Sequence, residues 1–332
     1  GRELLTAYAV LKGGMPTTKD NVLWARLMDN VSHRTPLASI VAGEPAGALG
    51  GFPRSVGQFG NAGGDPAGIA MDAAGRLLVT LAGVDEVALF DPQLSEVVRL
   101  PVGRHPVAIA LDETGTRAYV ANEFDDTISV LEPGAYDVTA TIGLGPQRVA
   151  NLAERGEMLF HDARLALHGW YSCHSCHSDG HANGQQNDNR SDGSFGAPKR
   201  VLSLLGTGDT EPWAWRGSVS DLATQIRNSV ESTMAGRALG EADVAALAEY
   251  LRTLPPPPGV GACDPEPDES AIARGERIFE AQGCQKCHAL PVYTRGAVFD
   301  VGLDDEMGNR QFNPPSLRGV SQRDTYFHDG RA

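Results

Sequence analysis

Basic residues are in short supply in this chain: 28 Lys and Arg stand against 42 Asp and Glu, a net charge of −14 over 332 residues. That balance argues against nucleic acid as a partner and against a polybasic contact with a membrane surface. Long hydrophobic runs are missing too. None approaches the roughly 20 apolar residues that a spanning helix needs. The start, Gly1-Arg2-Glu3-Leu4, lacks the charged region and apolar stretch of a signal peptide. What remains is an ordinary folding composition, 41% hydrophobic, on a chain about two domains long.

Cysteine is scarce as well, and its placement is informative. Four of the five cysteines lie in two Cys-x-x-Cys-His motifs, Cys173-His174-Ser175-Cys176-His177 and Cys284-Gln285-Lys286-Cys287-His288. Each is the attachment sequence of a c-type haem: the thiolates add across the vinyl groups and the adjacent histidine becomes the proximal iron ligand. Two haem c groups are therefore expected, on Cys173, Cys176, Cys284 and Cys287, with His177 and His288 on the irons. Covalent haem is normally attached outside the cytoplasm, so an exported, periplasmic or otherwise extracytoplasmic protein is expected, its leader removed or upstream. Cys263 is left without an intrachain partner and reads as an inert thiol. His161, His168 and His174 flank the first motif as surface or propionate-contacting residues. Met307 is a candidate soft ligand for the second haem.

The first 150 residues repeat with a period of 40. Pro66-Ala67-Gly68-Ile69-Ala70-Met71-Asp72 returns as Pro106-Val107-Ala108-Ile109-Ala110-Leu111-Asp112, and Pro146-Gln147-Arg148-Val149-Ala150 begins it again. Asp-x-x-Gly turns at Asp72 and Asp112, polar turns at Asp85-Glu86 and Asp125-Asp126, and alternating strands between them are the pattern of β-propeller blades. Arg117 to Asn122 with Asp126 to Val130 resembles the YVTN family of propeller repeats. Residues 1 to 60 read as Gly-rich and aperiodic, one degenerate blade with a long insertion. Three blades do not close a ring, so further blades are expected upstream or from a neighbouring subunit.

Beyond Ala150 the pattern becomes helical, with helices expected over 153–160, 219–230, 241–254 and 271–282. Pro255 to Pro258 form a stiff break. The matching entries Arg155-Gly156-Glu157 and Arg274-Gly275-Glu276 suggest duplication of one small cytochrome unit. The expected fold is multidomain: a partial, all-β propeller (1–150) followed by two mainly α-helical cytochrome c lobes, 151–258 with haem one and 259–332 with haem two, the second truncated.

From Leu159 onward the chain resembles the bacterial dihaem cytochrome c peroxidase family, including its quinone-cofactor maturation branch. The resemblance is carried by Leu159-Phe160-His161-Asp162-Ala163-Arg164-Leu165, by Trp215-Arg216-Gly217 with Gln225 ten residues on, and by Asn228-Ser229-Val230-Glu231. It closes on Pro315-Ser316-Leu317-Arg318-Gly319-Val320 and Tyr326-Phe327-His328-Asp329-Gly330. It implies an oxidoreductase that activates peroxide or a similar small oxidant at haem one, with electrons passed on from haem two. Trp215 would be the conduit between the porphyrins, and Gln225 and Glu231 would hold peroxide and move protons.

The departures matter too. Asp192-Gly193 stands where the family has a distal histidine that leaves the iron on activation, and His181 is the nearby alternative ligand. Glu231 comes several residues early. Arg200 replaces an asparagine ligand of an interdomain calcium and cannot bind a cation, which puts calcium in doubt. The family's distal ligand to haem two falls beyond Ala332. A redox partner protein is implied, and a homo-oligomer or larger complex is open. Two alternatives stand beside the peroxidase reading: an electron-transfer cytochrome whose propeller docks a partner, and a subunit of a multihaem complex of the hydrazine synthase kind.

Overall fold

The structure, a computed structural model, describes residues 3–45, 53–146, 148–190, 193–259, 266 and 268–331. Cys263, Asp192, Gln147 and the chain's first two and last residues lie outside the described set. Among the described residues no helix is long and apolar enough to cross a membrane. The chain forms two compact units. One comprises Gly1–Lys12, Lys19–Ala150 and Met158–Ser175; the other comprises Gly13–Thr18, Asn151–Glu157 and Cys176–Ala332.

The first unit is β-rich. Strand β1 (Glu3–Leu11) pairs along its whole length with β2 (Met28–Pro36), and β3 (Arg54–Ser55) adds to β2. Two short helices, α1 (Lys19–Leu23) and α2 (Leu37–Val41), interrupt this sheet, and a small hairpin follows, β4 (Gly57–Gln58) with β5 (Asn61–Ala62). The segment that reads as aperiodic is thus an ordered three-stranded sheet. Its pairing joins residues up to 33 positions apart, which a local period does not register.

Two four-stranded antiparallel meanders follow, each in the form of a propeller blade. The first runs β6 (Pro66–Met71), β7 (Leu77–Leu81), β8 (Glu86–Phe90), β9 (Glu96–Pro101); the second runs β10 (Pro106–Leu111), β11 (Ala118–Asn122), β12 (Thr127–Glu132), β13 (Asp137–Gly143). The repeated turns work as the sequence implies. The Asp72 carboxylate accepts from the backbone N–H of Ala74 and Arg76, and Gly75 takes a φ of 80°. Asp112 does the same for Thr116 and Arg117, with Gly115 at 68°. Asp85 and Asp126 hold the left-handed positions of the second turns, a conformation Asp tolerates because its side chain bonds locally.

Period-2 alternation sends the two faces of the first meander into separate cores. Leu77, Val79, Leu81, Ala88 and Phe90 pack with Leu5 and Ala7 of β1, while Leu78, Val87 and Leu89 pack against Ala118, Val120 and Leu131 of the second meander. Gly68 lets the meanders approach closely, because a Cβ there would lie 2.9 Å from the Ala108 Cα.

The second unit is mainly helical. Helix α3 (Leu152–Phe160) starts in a capping box: the Asn151 side chain accepts from the Glu154 N–H and Glu154 accepts from the Asn151 N–H. After α4 (Cys173–Cys176) come the short strands β14 (Gln186–Asn187) and β15 (Lys199–Arg200), then α5 (Leu222–Asn228), a π turn at Ser229–Thr233, and α6 (Glu241–Thr253). Helix α7 (Glu269–Ala281) and the hairpin β16 (Phe299–Asp300) with β17 (Gln311–Phe312) complete it. The proline run is not a free linker. Pro257 is buried beneath Gly319, and the Pro258 carbonyl accepts from Gln322 Nε2.

Candidate haem sites

Both attachment motifs hold their histidine in the same way. The chain turns back after the first motif through left-handed Asp179 and Gly180, which brings the His181 carbonyl to 3.4 Å from His177 Nδ1. In the second motif left-handed Tyr293 presents its carbonyl 3.1 Å from His288 Nδ1. A carbonyl can only accept, so each Nδ1 carries the proton and each Nε2 lone pair is left for a metal. Burial pushes the His177 imidazole down to about 4, against the opposing pull of the His181 and Leu202 carbonyls. Burial lowers His288 as well, against Tyr293 and Pro315. Both rings are thus neutral near neutral pH. A fixed tautomer and an unprotonated Nε2 fit a haem-iron ligand. The four motif cysteines form no disulfide, and burial, with the Asp65 carboxylate next in weight, pushes the Cys173 thiol up to about 12.

Trp215 is half-buried. Its indole Nε1 donates to the Arg200 carbonyl at 2.8 Å, its own carbonyl accepts from the Asn313 N–H, and its ring meets His328 edge-on with centroids 6.5 Å apart. His328 is 2% exposed and stacks on Phe312 at 4.3 Å. Trp215 therefore touches both β15, which follows the first motif, and the segment that closes the second lobe. His328 is a neighbour that residue type alone does not reveal; the only signal is its place in the closing signature.

Gln225 lies on α5, where its Nε2 donates to Ser229 Oγ at 3.3 Å and its buried Oε1 has no partner. Glu231 is exposed on the π turn that extends this helix. π turns inside helices recur at functional sites. His181 sends Nε2 to Gln322 at 3.1 Å while its carbonyl holds His177. Arg200 donates to the Thr325 carbonyl, and its N–H to the His328 carbonyl. His161 makes tilted ring contacts with His105 and His174, and His168 lies near Phe59. Met307 is exposed. The Nε2 of each motif histidine is what a haem iron would meet, and the cysteine and histidine residues of both motifs fit that group.

The duplicated entry has two outcomes. On α3, Gly156 sits so close to α6 that a Cβ would fall 2.0 Å from the Ala246 carbonyl oxygen. On α7, Gly275 has open space, and that helix buries no residue.

Residues 150–255 match the sequence model of the family described as di-haem cytochrome c peroxidase. The chain is similar to the cytochrome c551 peroxidase of Nitrosomonas europaea, 27% identical over 55% of this chain and 70% of that protein. It is also similar to the methylamine utilization protein MauG of Methylorubrum extorquens, 28% identical over 57% of this chain and 66% of that protein. Among solved structures it is similar to the hydrazine synthase of Kuenenia stuttgartiensis, with a TM-score of 0.48 and 23% identity over 56% of this chain and 77% of that one. The helical part of the chain, where residues 150–255 carry the first attachment motif, thus resembles the dihaem cytochrome c peroxidase family, MauG included.

Proposed function

We propose that the protein is an exported dihaem c-type oxidoreductase that activates peroxide, or a similar small oxidant, at the haem of the first motif. Electrons reach it from the haem of the second motif and, before that, from a redox partner protein outside the cytoplasm. When bound, the haem irons supply a coordination position for the oxidant and the electrons that reduce it.

The chain's own residues do the rest. His177 and His288 present Nε2 because the His181 and Tyr293 carbonyls hold the other ring nitrogen. Gln225 Oε1, sealed from water and without a donor, accepts from an O–H of the incoming oxidant and so orients it. Glu231 takes the proton from one oxygen and returns it to the other, work a carboxylate within hydrogen-bond range performs. Trp215, in contact with both lobes, is the conduit between them. The observation that carries the reading is the repeated anchoring of the two motif histidines, each held at Nδ1 by a backbone carbonyl.

Low-temperature EPR of the oxidised protein, titrated with hydrogen peroxide, tests it. A high-spin signal consumed by peroxide is the expected result. Two low-spin haems unmoved by peroxide, before and after partial reduction, would leave an electron carrier instead.

A further inference from the structure

The β-rich unit does not end with its last strand. Residues 158–175, which run up to and into the first attachment motif, fold with the meanders. Asn30 of β2 donates to the Trp170 carbonyl at 2.7 Å, the Ala163 N–H donates to the Gly83 carbonyl at 2.8 Å, and Arg164 pairs with both Asp162 and Asp85. The approach is close enough to demand glycine. A Cβ on Gly64 would lie 2.5 Å from the Ala163 Cβ and 2.6 Å from the Gly169 carbonyl oxygen, and one on Gly83 would lie 2.7 Å from that same Ala163 Cβ.

The tips of the two blades address this segment from equivalent positions. Asp65 and His105 are 40 residues apart, each precedes the proline that opens its blade, and each takes a left-handed φ, 53° and 54°. The His105 ring meets His161 at a tilt, and His161 meets His174 inside the motif likewise, both with centroids 4.7 Å apart. Asp65 reaches further. Its Oδ1 accepts a short hydrogen bond, 2.5 Å, from the hydroxyl of Ser175, the residue between the two motif cysteines. Ser175 Oγ also accepts from the Ser172 N–H at 2.9 Å. The second carboxylate oxygen, Oδ2, is buried without a partner, and the carboxylate acts on Cys173 electrostatically.

We propose that Asp65 is a positioning residue for the first haem: the blade tip fixes Ser175 within the attachment motif and sets a buried negative charge beside Cys173. The blade tip then bears on the attachment motif through Ser175 and Cys173, which fold in the same unit. A fixed anion near the iron favours the oxidised, more positive state and holds the reduction potential down. This rests on the reading that Cys173, Cys176 and His177 carry haem.

The test is a spectroelectrochemical titration of the wild type and Asp65→Asn, with haem per chain counted first by pyridine haemochrome. The expected result is a positive shift of one of the two midpoints in Asp65→Asn, with the other midpoint unmoved, and return of the shifted one toward wild type in Asp65→Glu. Fewer than two haems in the wild type overturns the reading beneath the proposal. Two haems with both midpoints unmoved in Asp65→Asn overturns the proposal alone. Should Asp65→Asn fail to accumulate with two haems, Ser175→Ala decides by the same criterion, because it frees the carboxylate to turn away from Cys173.

Discussion

A buried amide oxygen with nothing to accept from costs about 1–3 kcal/mol in lost hydration, so Gln225 Oε1 marks a place where stability and chemistry oppose each other. Gln225→Leu is expected to leave the urea midpoint of the holoprotein unchanged or raise it, while slowing peroxide consumption in stopped-flow absorption. Glu231 is exposed, so Glu231→Gln is expected to leave stability alone and slow peroxide consumption by about 10²-fold, the low end for loss of a general acid–base group. Equal slowing of both variants by less than a factor of two would remove these residues from the chemistry. At this scale the sequence speaks unevenly. The motif cysteines and histidines are legible because the Cys-x-x-Cys-His spacing is short and fixed. The anchors are not, because His181 and Tyr293 act through backbone carbonyls, which every residue possesses. Only the left-handed turns that aim those carbonyls distinguish them.

Elements show how one short sequence takes on two structural meanings. Arg-Gly-Glu occurs in both α3 and α7, but only Gly156 meets another helix. Gly156→Ala forces a Cβ into the Ala246 carbonyl and is expected to cost about 1–3 kcal/mol, the usual penalty of overpacking. Gly275→Ala faces open space and is expected to stabilise by about 0.5–1 kcal/mol, because alanine loses less backbone freedom within a helix. Denaturant midpoints of the two variants, measured side by side, should move in opposite directions; movement in the same direction would mean that α3 does not cross α6 as described. The blades were legible in the 40-residue period with its Asp-x-x-Gly turns. The sheet of β1, β2 and β3 was not, since Glu3 pairs with Pro36 and no short-range pattern records that register. The proline run reads as a spacer from composition, yet Pro257 is buried against Gly319, a contact 62 residues distant in sequence.

For the molecule as a whole, long-range polar contacts decide what local pattern leaves open. Lys199 of β15 and Asp305 of the loop between β16 and β17 form a 3.1 Å ion pair with almost no exposure of either side chain. Burial pushes the Asp305 carboxyl up, but hydrogen bonds from Asn309 and the Lys199 ammonium outweigh it and hold the group at about 2. A folded value depressed below the ordinary 3.8 means that the unfolded chain binds the proton more tightly. The contribution to stability is therefore complete above about pH 4 and is lost as pH falls through 2. Lys199→Met strands a buried carboxylate and is expected to cost about 3–5 kcal/mol at pH 7. With the cation gone, the Asp305 carboxyl rises toward its ordinary range, still held down by the Asn309 hydrogen bonds, so the variant loses less stability on acidification than the wild type. Lys199→Met with Asp305→Leu, two apolar side chains in place of the pair, is expected to recover most of the loss, as exchanged buried pairs commonly do. Urea midpoints at pH 7 and at steps from pH 5 to 2.5 check all three. If the single variant loses stability in parallel with the wild type on acidification, the pair is not what holds Asp305 ionised, and Asn309 must be doing so without the lysine.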